Sequence, residues 1–151
     1  MPKRSKPTTY AALLRGINLG SRKRVAMADL RALVEGLGCA DVRTYVQSGN
    51  VVLRSERGAP ELAQAIENAI EKQLGHDVRV VVRSERQLRN LLTNNPFVGS
   101  KIRPNTLYAT FLTEQPEAKL VRDLRERDFG RERWRSSAAT SVSSSRTATG
   151  G

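Results

Sequence analysis

Two short polar segments carry residue types that could bind an anion. The first, RGIN, is followed by three consecutive bases at residues 22–24, and the second, QSGN, lies further along the chain. Guanidinium groups, carboxamides, a hydroxyl and the backbone amides exposed at glycines all donate hydrogen bonds to phosphate or carboxylate. The candidate ligand-binding residues are Arg15, Gly16, Asn18, Arg22, Lys23, Gln47, Ser48, Gly49 and Asn50.

A second interpretation of these segments is purely structural. RGINLG has neither the GxxxxGK[ST] nor the GxGxxG spacing of established phosphate loops. Short polar loop residues often hydrogen-bond to one another, and Gly49 suits a turn that needs positive φ. The alternative is therefore that the asparagine and glutamine side chains tie the two loops together.

Catalytic residues are harder to find. Ser48 is not in a G-x-S-x-G turn, and the single His76 is not placed to activate it. Cys39 and His76 alone give little material for a metal site, so no metal and no cofactor are expected. An enzyme acting on a phosphorylated or carboxylated metabolite is thus the alternative to a binding protein.

The charge of the chain suggests an acidic partner. Of the net +11, residues 1–7 contribute +3 and residues 130–151 another +3, which leaves +5 for everything between them. Charge therefore permits nucleic-acid binding without establishing it. Tyr10, Tyr45 and Tyr108 lie in predicted strands, but no RNP-like pattern surrounds them, which favours packing at sheet edges.

The sequence predicts no membrane segment. No run approaches the roughly 18 apolar residues of a membrane span. The basic N-terminus leads into only a short apolar run, without the core or cleavage site of a signal peptide. We therefore expect a cytoplasmic protein.

Hydrophobic periodicity predicts a β-α-β-β-α-β order over residues 8–83. This is the order of the α+β, ferredoxin-like fold, in which two helices cover one face of a four-stranded antiparallel sheet. In that topology the first two strands run parallel, so RGIN and QSGN should emerge at the same edge. The predicted strands are 8–15, 42–46, 50–54 and 78–83, and the predicted helices are 27–37 and 60–74.

A second, similar half begins after a connecting helix and linker at residues 84–104. Residues 105–129 repeat the β-α opening and then fail to continue. We expect residues 1–7 and the Ser/Thr/Ala-rich residues 130–151 to be disordered. A half that lacks most of its sheet should expose apolar faces, which predicts self-association.

Five motifs carry a resemblance to a known family. They are YAALLRGINLG (10–20), MADLRALVEGLG (27–38), VRTYVQSGNVV (42–52), VVVRS (80–84) and NNPF (94–97). In this order and spacing the chain resembles the bacterial family called domain of unknown function (DUF) 1697, over residues 8 to 129. The resemblance implies two ferredoxin-like halves and assigns no catalytic activity.

The C-terminal segment departs from the family. The resemblance implies a continuation like GREVYLHYPDGYGRSKL and a later TTRNW motif, whereas this chain has RSSAATSVSSSRTATGG. If Ala138 to Gly150 are written with suitable GC-rich codons, reading from the third base gives GDVGLVFPDGYG. We therefore expect a one-nucleotide frameshift between about Trp134 and Ala138.

Sequencing the gene locus tests the frameshift. We expect the DNA downstream of the Trp134 codon to contain another frame that encodes a TTRNW-like continuation. If no frame of that DNA encodes such a continuation, the C-terminal segment belongs to the gene as it stands and the frameshift is excluded.

Overall fold

The computed structural model describes residues 6–97, 103–130, 133–137 and 140–144. The chain divides into two compact units, Met1–Arg89 and Asn90–Gly151. The first unit has the predicted β-α-β-β-α-β order. Its elements are β1 Thr8–Leu14, α1 Met27–Gly36, β2 Ala40–Tyr45, β3 Asn50–Ser55, α2 Ala59–Leu74 and β4 Val80–Ser84.

The sheet of the first unit has the strand order β2-β3-β1-β4, and each neighbouring pair is antiparallel. Since β3 lies between β1 and β2 and opposes both, β1 and β2 run in the same direction. This arrangement confirms the ferredoxin-like α+β fold. It also places the ends of β1 and β2 at one edge, as the sequence predicted.

The core lies between one face of this sheet and the two helices. Apolar residues at helical spacing on α1 and α2 meet alternate residues of the strands, so each element buries one face. Burying one such aliphatic side chain stabilises the fold by about 1.5–3 kcal/mol. The largest fully buried side chains are Leu30, Leu53, Leu62, Ile66, Ile70, Val34, Val51 and Val78.

Local hydrogen bonds end the elements where the sequence indicates. Gly75 ends α2 in the left-handed conformation, with φ of 69°. Ser84 and Gln87 form a capping box at the start of α3 (Glu85–Thr93). The Ser84 amide donates to Gln87 Oε1 at 2.8 Å, and the Gln87 amide donates to Ser84 Oγ at 3.2 Å.

The second unit contains a small sheet of order β5-β7-β6. Its described elements are a 3-10 turn at Pro104–Thr106, β5 Leu107–Phe111, α4 Ala118–Glu126, β6 Arg133–Ser137 and β7 Thr140–Ser144. The two last strands correct the prediction of a disordered segment from residue 130 onwards. A strand ladder is made by main-chain groups, and Ser and Thr tolerate it without apolar alternation. Predicted disorder at residues 1–5 and 145–151 falls outside the described residues.

None of the described helices is long and apolar enough to cross a membrane. The amphipathic α4 instead leaves its apolar side exposed. Leu120 is 58% exposed and Leu124 is 39% exposed, and α4 contains no buried residue. Such an apolar stripe is a site where copies of a chain can associate.

Replacing Leu120 and Leu124 by glutamine should reduce self-association, because the change removes the exposed apolar stripe of α4. Sedimentation velocity over a range of protein concentrations measures the effect. Arg122→Gln, on the polar side of the same helix, is the matched control and should leave association unchanged. A native chain that stays monomeric at every concentration contradicts the prediction.

Candidate anion-binding site

The two polar segments lie together at one end of the sheet of the first unit. The loop from β1 to α1 contains RGIN, and the turn from β2 to β3 contains QSGN. A hydrogen bond joins them: Asn18 Nδ2 donates to the Gln47 carbonyl oxygen at 2.9 Å. The juxtaposition expected from the topology is therefore present, and we call this region the two-loop edge.

The Asn18 side chain holds the two-loop edge together through hydrogen bonds, and we call these bonds the brace. Its Oδ1 accepts a hydrogen bond from the Val25 amide at 2.8 Å, and its Nδ2 also donates to the Val25 carbonyl at 2.9 Å. Its own amide donates to the Lys23 carbonyl at 3.0 Å. Asn18 has φ of 54°, a left-handed conformation that asparagine tolerates better than most residues. Both donors of the Asn18 carboxamide are thus used inside the protein, as the structural interpretation has it for this asparagine, whereas Gln47 takes part only through its backbone carbonyl.

Gly49 is fixed by a steric constraint. It is buried, with φ of 81°, and a Cβ at this position would lie 2.3 Å from Ile17 Cδ1 and 3.2 Å from Leu14 Cβ. Ile17, only 3% exposed, is the apolar member of RGIN and packs under the turn. Gly49 therefore lets the two loops approach closely rather than contacting a ligand.

The charged residues of the edge are exposed. Residues 15–24 contain four bases and no acid. The side chains of Arg15, Arg22 and Arg24 make no hydrogen bond or ion pair with any of the described residues. Lys23 differs, because its Nζ donates to the Asp77 carbonyl oxygen. Three guanidinium groups thus stand on a braced loop with their donors directed to solvent.

The QSGN side of the edge contributes smaller polar groups. Gln47 and Ser48 are exposed, and Asn50 is half-buried at the start of β3. None of their side chains hydrogen-bonds to another described residue. Gln47 braces the edge only through its backbone carbonyl. Gly16 has φ of 72° and open space around it, so only its backbone conformation favours glycine at this position.

The residues that lead into β4 form a third side of this edge, which the sequence motifs do not indicate. The Arg15 amide donates to the Arg79 carbonyl at 2.9 Å, and His76 Nε2 lies 3.2 Å from the Arg24 carbonyl oxygen. Asp77 accepts from Lys23. The predicted topology could have indicated this, because β4 runs antiparallel to β1 and therefore begins where β1 ends.

No metal centre is built from the part of the chain that the structure describes, since no three His, Cys, Asp or Glu side chains cluster there. Cys39 is buried, and burial raises the pKa of its thiol above the ordinary value despite a hydrogen bond with Ser55 and the nearby Arg57. A protonated, buried thiol is a poor nucleophile.

Comparison with known proteins identifies the family. The chain belongs to the family described as Protein of unknown function (DUF1697), which matches residues 8–140. It is similar to the conserved bacterial protein SP0830 from Streptococcus pneumoniae, with a TM-score of 0.81 and 22% sequence identity. That similarity covers 95% of this chain and 79% of that one, and at this identity it shows the fold alone. No curated protein sequence matches the chain.

Replacing Gly49 by alanine should destabilise the first unit. The left-handed backbone costs alanine about 1–2 kcal/mol, and the contact with Ile17 adds about 1–3 kcal/mol. Gly20→Ala is the matched control, because Gly20 has φ of 64° but nothing within 4 Å of the added Cβ. Urea denaturation measures both. Equal losses in the two variants would show that close packing of the loops contributes nothing.

Proposed function

We propose that the two-loop edge binds an anionic ligand, through the phosphate or carboxylate groups of a small molecule or through the phosphates of a nucleic acid. The observation that carries this proposal is a set of arginine side chains that have no hydrogen-bond or ion-pair partner among the described residues. Arg15, Arg22 and Arg24 share one loop that contains no acid. An anion is the group that would satisfy their donors together.

The energetics favour an anion of more than one charge. A hydrogen bond to a charged group contributes about 1.5–3 kcal/mol, roughly twice the value for a neutral pair. A single exposed ion pair contributes at most about 1 kcal/mol, because water screens it. Several guanidinium groups that contact one phosphate therefore contribute more binding free energy than a single one would.

The residues that hold the two loops together are not the residues that would bind a ligand, so the two roles are compatible. Asn18 and Gly49 hold the loops in place through internal contacts. Arg15, Arg22 and the exposed Ser48 supply the groups for a ligand. A loop that is already ordered loses less conformational entropy when it binds, so the brace would increase affinity.

The enzyme alternative has less support. Ser48 makes no hydrogen bond to any described side chain, and His76 lies against the Arg24 carbonyl instead. A serine nucleophile needs a base within hydrogen-bond reach. A binding role in the cytoplasm is therefore the function that we propose, ahead of catalysis on a phosphorylated or carboxylated metabolite.

Calorimetric titration of the full chain with inorganic phosphate, pyrophosphate and citrate tests the proposal. We expect the double variant Arg15→Gln/Arg22→Gln to weaken binding of the best of these by at least about tenfold, which corresponds to about 1.4 kcal/mol. The loss follows from removing two cations, while each glutamine keeps an amide group that can donate hydrogen bonds.

Arg86→Gln is the control, because Arg86 lies on α3, which begins after the far end of β4. It removes one positive charge from the chain, where the double variant removes two, and should leave binding intact. An equal loss in the control and the double variant would indicate general electrostatics and contradict the proposed site. Absence of binding to all these anions and to nucleic acids would exclude the function.

A further inference from the structure

The sheet of the first unit has a face turned away from α1 and α2. On β1, Ala12 and Leu14 are buried on the helix side, so Ala11 and Leu13 point to the opposite side. Residues paired with Ala11 and Leu13 on the other strands share that side, since directly opposed residues of antiparallel strands lie on one face. We call this surface the open face.

One row across the open face has an arginine at each end. Ala11 pairs with Val52 on β3 and Arg83 on β4, and Val52 pairs with Arg43 on β2. Neighbouring strands are about 4.8 Å apart, so the two arginine backbones are about 14 Å apart. The middle of the row is apolar, and Val52 is 41% exposed. Of the two arginines, Arg83 is half-buried and its Nη1 donates to the Val82 carbonyl oxygen at 2.9 Å, whereas Arg43 is exposed. Apolar surface beside an exposed guanidinium suits a ligand that is apolar in part and anionic in part.

The next row adds an aromatic ring. Leu13 pairs with Asn50 and Val81, and Asn50 pairs with Tyr45. Tyr45 is 69% exposed and Tyr108 is 55% exposed, whereas Tyr10 is buried in the core on the inner strand β1. Packing at a sheet edge therefore describes none of the three. Stacking of a base on an exposed aromatic ring contributes about 1–3 kcal/mol.

The open face is continuous with the two-loop edge. β3 begins at Asn50, the residue directly after Gly49, and β1 ends at Leu14, the residue directly before Arg15. The row that contains Tyr45 is therefore the row nearest the exposed arginines of the edge. A strand of phosphates bound at the edge would continue over Tyr45 onto the open face.

Charge selects among the ligands that could cover this surface. The four strands contain three arginines and a single acid, Asp41, whose carboxylate pairs with Arg54 at 3.2 Å. Arg43 is exposed and makes no hydrogen bond or ion pair with any described residue. A small anion bound at the edge would not reach Arg43, whereas a chain of phosphates would.

We propose that the open face binds single-stranded nucleic acid, with a base stacked on Tyr45, a phosphate bound by Arg43 and the neighbouring phosphates held by the arginines of the two-loop edge. This proposal rests on the proposed function and identifies its ligand. We expect single strands to bind more tightly than duplexes, because stacking on Tyr45 needs an unpaired base.

Fluorescence anisotropy of the full chain with a mixed-sequence single-stranded RNA of about ten nucleotides tests the proposal. Tyr45→Ala should weaken binding about tenfold, and Tyr45→Phe should restore it because the ring is kept. Arg43→Gln should weaken binding and lower the slope of log K against log salt by about 0.7, the value for one phosphate contact on a single strand. Val46→Ala, beside Tyr45 and also exposed, is a control that should bind normally.

The outcomes separate this proposal from the proposed function. If Arg15→Gln/Arg22→Gln weakens RNA binding but the Arg43 and Tyr45 variants bind RNA normally, the open-face proposal is wrong and the proposed function is unaffected. Binding of phosphate or pyrophosphate without binding of RNA does the same. Equal affinity for the strand and its duplex overturns the open-face proposal, because stacking then plays no part. Circular dichroism melts check that each variant folds.

Discussion

The carboxamide of Asn18 is the interaction on which the two-loop edge depends. Its two donors and its oxygen join the start of the β1–α1 loop to the end of that loop and to the β2–β3 turn. The sheet topology brings the two connections to one end, but topology alone would leave them mobile. The brace fixes where the arginines stand relative to the sheet.

Packing reinforces this hydrogen-bonded brace. Ile17 inserts beneath the turn, and only glycine at position 49 lets the turn approach it. The apolar contact and the polar brace alternate along RGIN, so adjacent residues serve different purposes. Their residue types made Arg15 and Asn18 candidates of the same kind. The structure separates them: Arg15 is an exposed cation, and Asn18 is a positioning residue.

Local patterns in the sequence predicted the fold of the first unit well. The i+4 spacing of Leu62, Ile66 and Ile70 predicts α2, and the Ser84-to-Gln87 capping box predicts the start of α3. Both signals work because the interacting residues are neighbours in the chain. β6 and β7 were not predicted, because a ladder between Ser/Thr-rich segments leaves no hydrophobic period.

The site was only partly predictable for a related reason. Topology placed RGIN beside QSGN, but residue types do not reveal whether a carboxamide binds a ligand or a backbone group 29 residues away. The bulge in β2 between Ala40 and Arg43, with Asp41 at φ of 52°, also left no sequence signal. Because that bulge shifts the register of one strand by a residue, it helps decide which side chains of β2 share the open face.

Hydrogen exchange in Asn18→Ala tests most directly whether the hydrogen bonds of Asn18 hold the two-loop edge in place. We predict that the Val25 amide, which donates to Asn18 Oδ1, loses its protection and that anion affinity falls, while the amides of β1 and β3 stay protected. Unchanged protection at Val25 together with unchanged affinity would contradict the claim that Asn18 organises this edge.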